Sequence, residues 1–225
     1  MGIFSSDTSY DRSRLLEAAS RARAKKRYRK AVALYRRVLA VEPANVELHA
    51  RLAPLLAATR RPFDAWISFR SCANAASAEN RLEQAAAVYR EAARCLPRQL
   101  EAWELLATTE RSRGREREAL DALKEGRQQF RGRSRRSQAI YLLRRAREIE
   151  TRNLDVVLDL ARLLAATDQE GEARLLLERL ADQAGSGELR RVRGAQWRMA
   201  PTLVNSWRWI RAALSGDEDA RSQHA

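Results

Sequence analysis

The stretch YRKAVALYRRVLAVEP at residues 28–43 returns as LEQAAAVYREAARCLP at residues 82–97. Tyr28, Ala31, Tyr35, Val38 and Pro43 correspond to Leu82, Ala85, Tyr89, Ala92 and Pro97, with the same internal spacings of 3, 4, 3 and 5. Steps of 3 and 4 put the apolar members on one stripe of an α-helix, and a Pro beyond the stripe marks where the helix stops. Agreement at all five positions in so short a window points to an internal repeat, which decides the fold before any local propensity does.

Composition agrees with a helical chain. Of 225 residues 45% are hydrophobic and 32% charged, while nine Gly and five Pro are too few for the frequent turns of a β-rich protein. No apolar run approaches the ~20 residues of a bilayer-spanning helix. The first residues lack the basic flank and apolar core of a signal peptide, so a cytoplasmic protein is expected. Gly2 with Ser6 fits an N-myristoylation pattern, read here as coincidence.

The chain lacks the groups that chemistry needs. Cys72 and Cys95 have no metal or redox spacing and read as small core residues, and His49 and His224 are too few for a His-based triad or a His-ligated metal. No Gly-rich phosphate loop follows a strand. Carboxylate pairs such as Asp155 with Asp159 read as a solvated helix face. No catalytic residue, cofactor site or metal site is expected, and the protein is not expected to be an enzyme.

The repeated spacing resembles the second helix of a tetratricopeptide repeat, whose unit of about 34 residues pairs two helices. Four units are carried over on that resemblance. Residues 12–45 place Leu15, Ala18 and Ala19 before the quoted stretch, and residues 66–99 place Phe69, Cys72 and Ala73 before its copy. Residues 100–133 supply Trp103, Leu106, Ala107, Gly114, Ala119, Leu123 and Gly126. Residues 154–187 supply Val157, Leu160, Ala161, Leu164, Ala173, Leu177 and Leu180. Between them the frame slips: residues 62–79 fit both a second and a first helix, and Ala139, Leu143, Ala146 and Ile149 make a further helix of the second type.

The resemblance implies an all-α, right-handed α-solenoid of about twelve helices, with irregular spacers and a C-terminal cap. The expected organisation is a flexible N-terminus over residues 1–11, a repeat domain over 12–187, capping helices over 188–214 and a disordered tail over 215–225. In the cap, Leu203, Trp207, Ile210 and Leu214 form a stripe expected to pack on the last unit. Trp197, Trp207 and Trp209, interleaved with Arg198, Arg208 and Arg211, are read as cap packing with one ring exposed, ahead of a membrane or dimer face.

The function implied is that of a non-enzymatic adaptor that binds a protein or peptide. Its groove positions would be Leu16, Ser20 and Arg23, then Arg70, Asn74 and Ser77, then Glu104, Thr108 and Arg111, then Leu158 and Arg162. Arg70 with Asn74 is similar to the start of a carboxylate clamp for peptide C-termini, but Glu101, Glu104 and Leu105 stand where the clamp would need Lys or Asn.

Charge then suggests the partner. The chain carries +14, all of it in residues 1–150, which hold 32 basic and 18 acidic groups against 11 and 11 in residues 151–225. One cluster supplies Arg21, Lys25, Lys26, Arg27, Arg29 and Lys30, and a second supplies Arg127, Arg131, Arg133, Arg135 and Arg136. These are expected to form a basic edge that attracts an acidic protein surface. A nucleic-acid-associated solenoid using the same Arg clusters is the alternative, weakened because no fold-specific reader and few free aromatic side chains accompany the charge.

Overall fold

The computed structural model describes the backbone of residues 11–222 and the side chains of residues 11–213. The expected flexible start, except Asp11, and the last three residues of the expected tail lie outside the described residues. The described chain is all-α, with no strand among those residues. Its helices are α1 (Arg12–Ala24), α2 (Tyr28–Leu39), α3 (Val46–Ala58), α4 (Pro62–Ala78), α5 (Leu82–Cys95), α6 (Leu100–Ser112), α7 (Glu116–Gln129), α8 (Arg136–Ile149), α9 (Leu154–Ala165), α10 (Glu170–Gln183), α11 (Ser186–Met199) and α12 (Leu203–Ser222). A single 3-10 turn, Arg133–Arg135, precedes α8. The chain divides into two compact units between Arg113 and Gly114, the first holding α1 to α6 and the second α7 to α12.

The helix starts show a longer period than the resemblance implies. α2, α5 and α8 begin at Tyr28, Leu82 and Arg136; α3, α6 and α9 at Val46, Leu100 and Leu154; α4, α7 and α10 at Pro62, Glu116 and Glu170. Each trio is stepped by 54 residues, so the helices expected to be irregular spacers recur on schedule. The same small residues recur with them: Ala31, Ala85 and Ala139 are all fully buried, as are Ala65, Ala119 and Ala173.

Local chemistry explains the boundaries. Asn45 and Asn153 accept a hydrogen bond from the backbone N–H three residues on and so cap α3 and α9, as Asp11 caps α1. Pro62 opens α4, where its missing N–H has no helical partner to lose. Four helices end in one device, a residue with positive φ followed by an N–H that reaches back five residues. Lys26, Arg60, Asn80 and Asp168 have φ of 55°, 61°, 55° and 59°. The next residues donate to the carbonyls of Ala22, Leu56, Ala76 and Leu164.

This device settles the double role of residues 62–79. It closes both the α3–α4 and the α4–α5 connections, and α4 packs against α3 on one side and α5 on the other. Both readings of that segment are therefore correct at once.

The core of the first unit is built from Tyr35, Phe69, Tyr89 and Trp103, all buried beside Ala19, Ala53, Ala73 and Ala107. The second unit relies on Leu142, Leu160, Leu164 and Leu177, each contributing about 2 kcal/mol through burial. Glu110 is 1% exposed and takes the position held by Leu56 and Leu164 in the neighbouring copies. Arg90 at 2.5 Å and Arg113 at 2.8 Å hold its carboxylate. Such a charge is tolerable only when paired, and removing one partner typically costs about 3–5 kcal/mol.

The C-terminal pair departs from expectation. Trp197 stacks on Trp209 at 5.7 Å, and the Trp209 ring lies over Gly194, where an added Cβ would sit 3.2 Å from Nε1. The face of α12 that turns inward carries Ala212, whereas Leu203, Trp207 and Ile210 are 90%, 60% and 50% exposed. The stripe expected to pack on the last unit faces solvent instead, and all three rings keep substantial exposure. The side chain of Leu214, its fourth member, lies outside the described residues. α12 also runs on to Ser222, past the expected end of the cap at residue 214.

Candidate functional site

In the first unit the groove candidates fall on three helices. Leu16, Ser20 and Arg23 follow one face of α1, and Arg70, Asn74 and Ser77 occupy the same face of α4, 54 residues on. Glu104, Thr108 and Arg111 lie on α6. All except Leu16 and Glu104 are exposed. Ser20 and Asn74 are partly engaged in packing, through contacts with the hydroxyls of Tyr35 and Tyr89. His49 has a structural role, bridging Ser68 Oγ at 3.2 Å and the Pro43 carbonyl at 2.9 Å.

The first basic cluster gathers at the α1–α2 connection. Lys25, Lys26 and Arg27 form it, and Arg29 and Lys30 begin α2. Cations at a helix start oppose the helix dipole, which costs roughly 0.3–1 kcal/mol each, so helix stability does not account for them. Arg21 is partly spent on Glu17 at 3.2 Å. A hollow of about 280 Å³ joins Lys26, Tyr28 and Arg29 to Ala58, Thr59 and Arg60 of the α3–α4 connection. Arg60 was not among the expected site residues, although it occupies the same positive-φ position as Lys26.

The second unit has the larger concavity. A cavity of about 820 Å³ opens between α7, the loop that follows it, and α9. Its basic lining is Lys124, Arg127, Arg131, Arg133, Arg136 and Arg162, against two acids, Asp155 and Asp159. Phe130, Leu143, Val156 and Leu163 supply a buried apolar floor. Gly132, at φ 96°, turns the chain sharply between Arg131 and Arg133. A second hollow of about 610 Å³ lies on the other side of α9, reaching Arg191, Arg198 and Met199 of α11. Leu158 lines this second hollow, Arg162 lines both, and Asp155 and Asp159 are shared.

The cations differ in what they already bind. Arg127 grips Asp159 with two hydrogen bonds, Nε at 2.5 Å and Nη2 at 2.9 Å, and Arg162 adds a third at 2.6 Å. Burial pushes the Asp159 carboxyl up, but hydrogen bonds and charge from Arg127 and Arg162 outweigh it and hold the group below its ordinary range. Arg127, expected on the open basic edge, is therefore a half-buried wall of the cavity. Arg136 donates to the Ala166 carbonyl at the end of α9, and Arg131 to the Gln128 carbonyl. Among the described residues Lys124, Arg131 and Arg133 form no ion pair. Arg135 lies in the adjoining 3-10 turn.

Sequence reading missed Lys124, Phe130 and Arg136's helix-end contact. Lys124 was recoverable, because it stands three residues before Arg127 on one face of α7. The cavity combines six cations, two carboxylate acceptors and an apolar floor. Burial pushes the Cys72 thiol up to about 11, against a smaller lowering by a backbone hydrogen bond, which leaves it a poor nucleophile. No cluster among the described residues has the His, Cys and carboxylate groups to hold a metal.

Paired helices on a fixed step, with an exposed concave surface in each unit, define a helical-repeat protein. Residues 132–195 match the tetratricopeptide-repeat family, covering α8 to α10 and most of α11. The chain as a whole is an all-α helical-repeat protein, and this segment of it carries the tetratricopeptide-repeat match. It is similar to a solved tetratricopeptide repeat protein from Parabacteroides merdae ATCC 43184, at 14% identity, 92% coverage of each chain and a TM-score of 0.31. It is also similar to pilF of Pseudomonas aeruginosa, at 16% identity, 90% and 89% coverage and a TM-score of 0.30. YrrB, described as a TPR protein with an unusual peptide-binding site, shares 16% identity over 68% of this chain and 87% of its own, with a TM-score of 0.32. No curated protein matches the chain. The fold suggests a protein-interaction scaffold, and no helix among the described residues is long and apolar enough to cross a membrane.

Proposed function

We propose that the protein is a non-enzymatic adaptor that takes an acidic segment of another protein into the cavity of its second unit. One observation carries this reading: six cations around an apolar floor face only two carboxylates, and Lys124, Arg131 and Arg133 have no counter-charge of their own. The Asp159 bridge fixes Arg127 and Arg162 as a wall, so a ligand meets positive charge already in place and loses less on ordering it. An extended segment with carboxylates beside an apolar side chain fits this lining. The cluster around Lys26 and Arg60 in the first unit would attract the same partner at long range and act mainly on association rate.

A fluorescein-labelled peptide of alternating Glu and Leu, titrated by anisotropy into nuclease-treated protein, tests the proposal. Binding should weaken at least about ten-fold on charge reversal at Arg131 and Arg133, and fall with salt. Reversal at Arg190 and Arg193 should leave it unchanged. Tighter binding of a random oligonucleotide than of the peptide near physiological salt would favour the nucleic-acid reading instead.

A further inference from the structure

The C-terminal helix pair holds a surface that the repeat does not use. Residues 189–214 contain six Arg, three of the five Trp and no Asp or Glu. The even charge balance of the last third hides this cluster, because its acids lie on either side. α12 presents Leu203, Trp207 and Ile210 on one stripe of spacing 4 and 3, with Val204 beside them, all exposed. The stripe is held from behind: Trp197 stacks on Trp209 and donates from Nε1 to Ser206 Oγ at 3.0 Å. The Arg211 guanidinium lies over the Trp207 ring, 5.4 Å from its centre.

We infer that this face docks the protein on the surface of an anionic phospholipid bilayer, with α12 lying in the interface. Trp and Leu on one stripe with Arg alongside is the composition that settles at the headgroup boundary, where rings and aliphatic chains enter and guanidiniums stay with the phosphates. Charge complementarity selects the occupant. A second copy would set the arginines other than Arg191, which is paired with Asp155, against each other with no acid in the stretch to offset them, whereas an anionic leaflet neutralises them. The acids Asp217, Glu218 and Asp219 come only after this stretch in the sequence. The contact is peripheral, since no helix among the described residues is long and apolar enough to span a bilayer.

Sedimentation of the full chain with vesicles of phosphatidylcholine, alone or with about 30% phosphatidylglycerol, tests this. Binding is expected only with phosphatidylglycerol, and brominated acyl chains should quench Trp emission; Trp66 and Trp103 are buried, so the quenched rings are the C-terminal ones. The double variant Leu203→Glu, Trp207→Ser alters exposed side chains only and should keep its helicity while losing about ten-fold or more in partitioning. Arg131→Glu with Arg133→Glu, which tests the peptide cavity, should leave vesicle binding intact. Equal binding by the α12 variant, absence of quenching, or a concentration-dependent dimer abolished by that variant would overturn the inference.

Discussion

Tyr89 donates from its hydroxyl to Asn74 Oδ1, 3.3 Å away, and Tyr35 stands 3.5 Å from the Ser20 hydroxyl across the same 15-residue separation. One repeat position thus serves two purposes, since the ring fills the core while its hydroxyl reaches a groove residue. Burial raises the Tyr89 hydroxyl's pKa, with Arg70 lowering it in part. Tyr89→Ala should cost about 3–5 kcal/mol, as expected for a large buried aromatic, and Tyr89→Phe only about 1 kcal/mol for the hydrogen bond. Urea melts of the two variants separate the contributions; equal losses would show that the ring is not the larger one.

The positive φ of Arg60 leads to a gain. A non-Gly residue there bears roughly 1–2 kcal/mol of left-handed strain, and Gly returns about 0.5–1 kcal/mol of it as lost chain entropy. Arg60→Gly should stabilise the protein by about 0.5–1 kcal/mol. A lower melting temperature would mean that the Arg60 side chain makes contacts worth more than the strain.

The Arg127–Asp159 bridge makes part of the stability depend on acid. A carboxyl whose folded pKa lies below its unfolded value stabilises the fold above the unfolded value of about 3.9, and this is lost as pH falls through the folded value. Asp159→Asn should therefore lower stability at neutral pH and flatten its decline below about pH 4. Melting temperatures taken between pH 7 and 3 check the sign; parallel curves for parent and variant would mean that the bridge is not coupled to folding.

The two thiols should resist a disulfide reagent in the native protein. Cys72 is buried, donates to the Val46 carbonyl and is pushed up to about 11. Cys95 is raised by burial first and by Glu91 second. Both should react only slowly at pH 8 and rapidly once urea unfolds the chain. Immediate labelling of Cys72 would contradict the packing of α4.

Helix type and the inward face of most helices were set by local chemistry alone, because spacings of 3 and 4 and buried Ala positions can be read without knowing any neighbour. The recurrence from Tyr28 to Pro43 and Leu82 to Pro97 already carried the 54-residue step. Its regularity was obscured because α4 serves two partners, and only packing on both sides reveals that. The outward stripe of α12 was misassigned for a related reason. Periodicity locates an apolar face, but what covers it depends on the neighbouring helix, and α11 fills its contact with Trp209 over Gly194, leaving Leu203, Trp207 and Ile210 outside. Likewise the sequence marked Arg127 and Arg133 as equivalent charges, while their fates differ because Asp159, 32 residues beyond Arg127, is brought within hydrogen-bond reach of that residue. Long-range pairing of that kind depends on three-dimensional placement, and only the tertiary structure decides it.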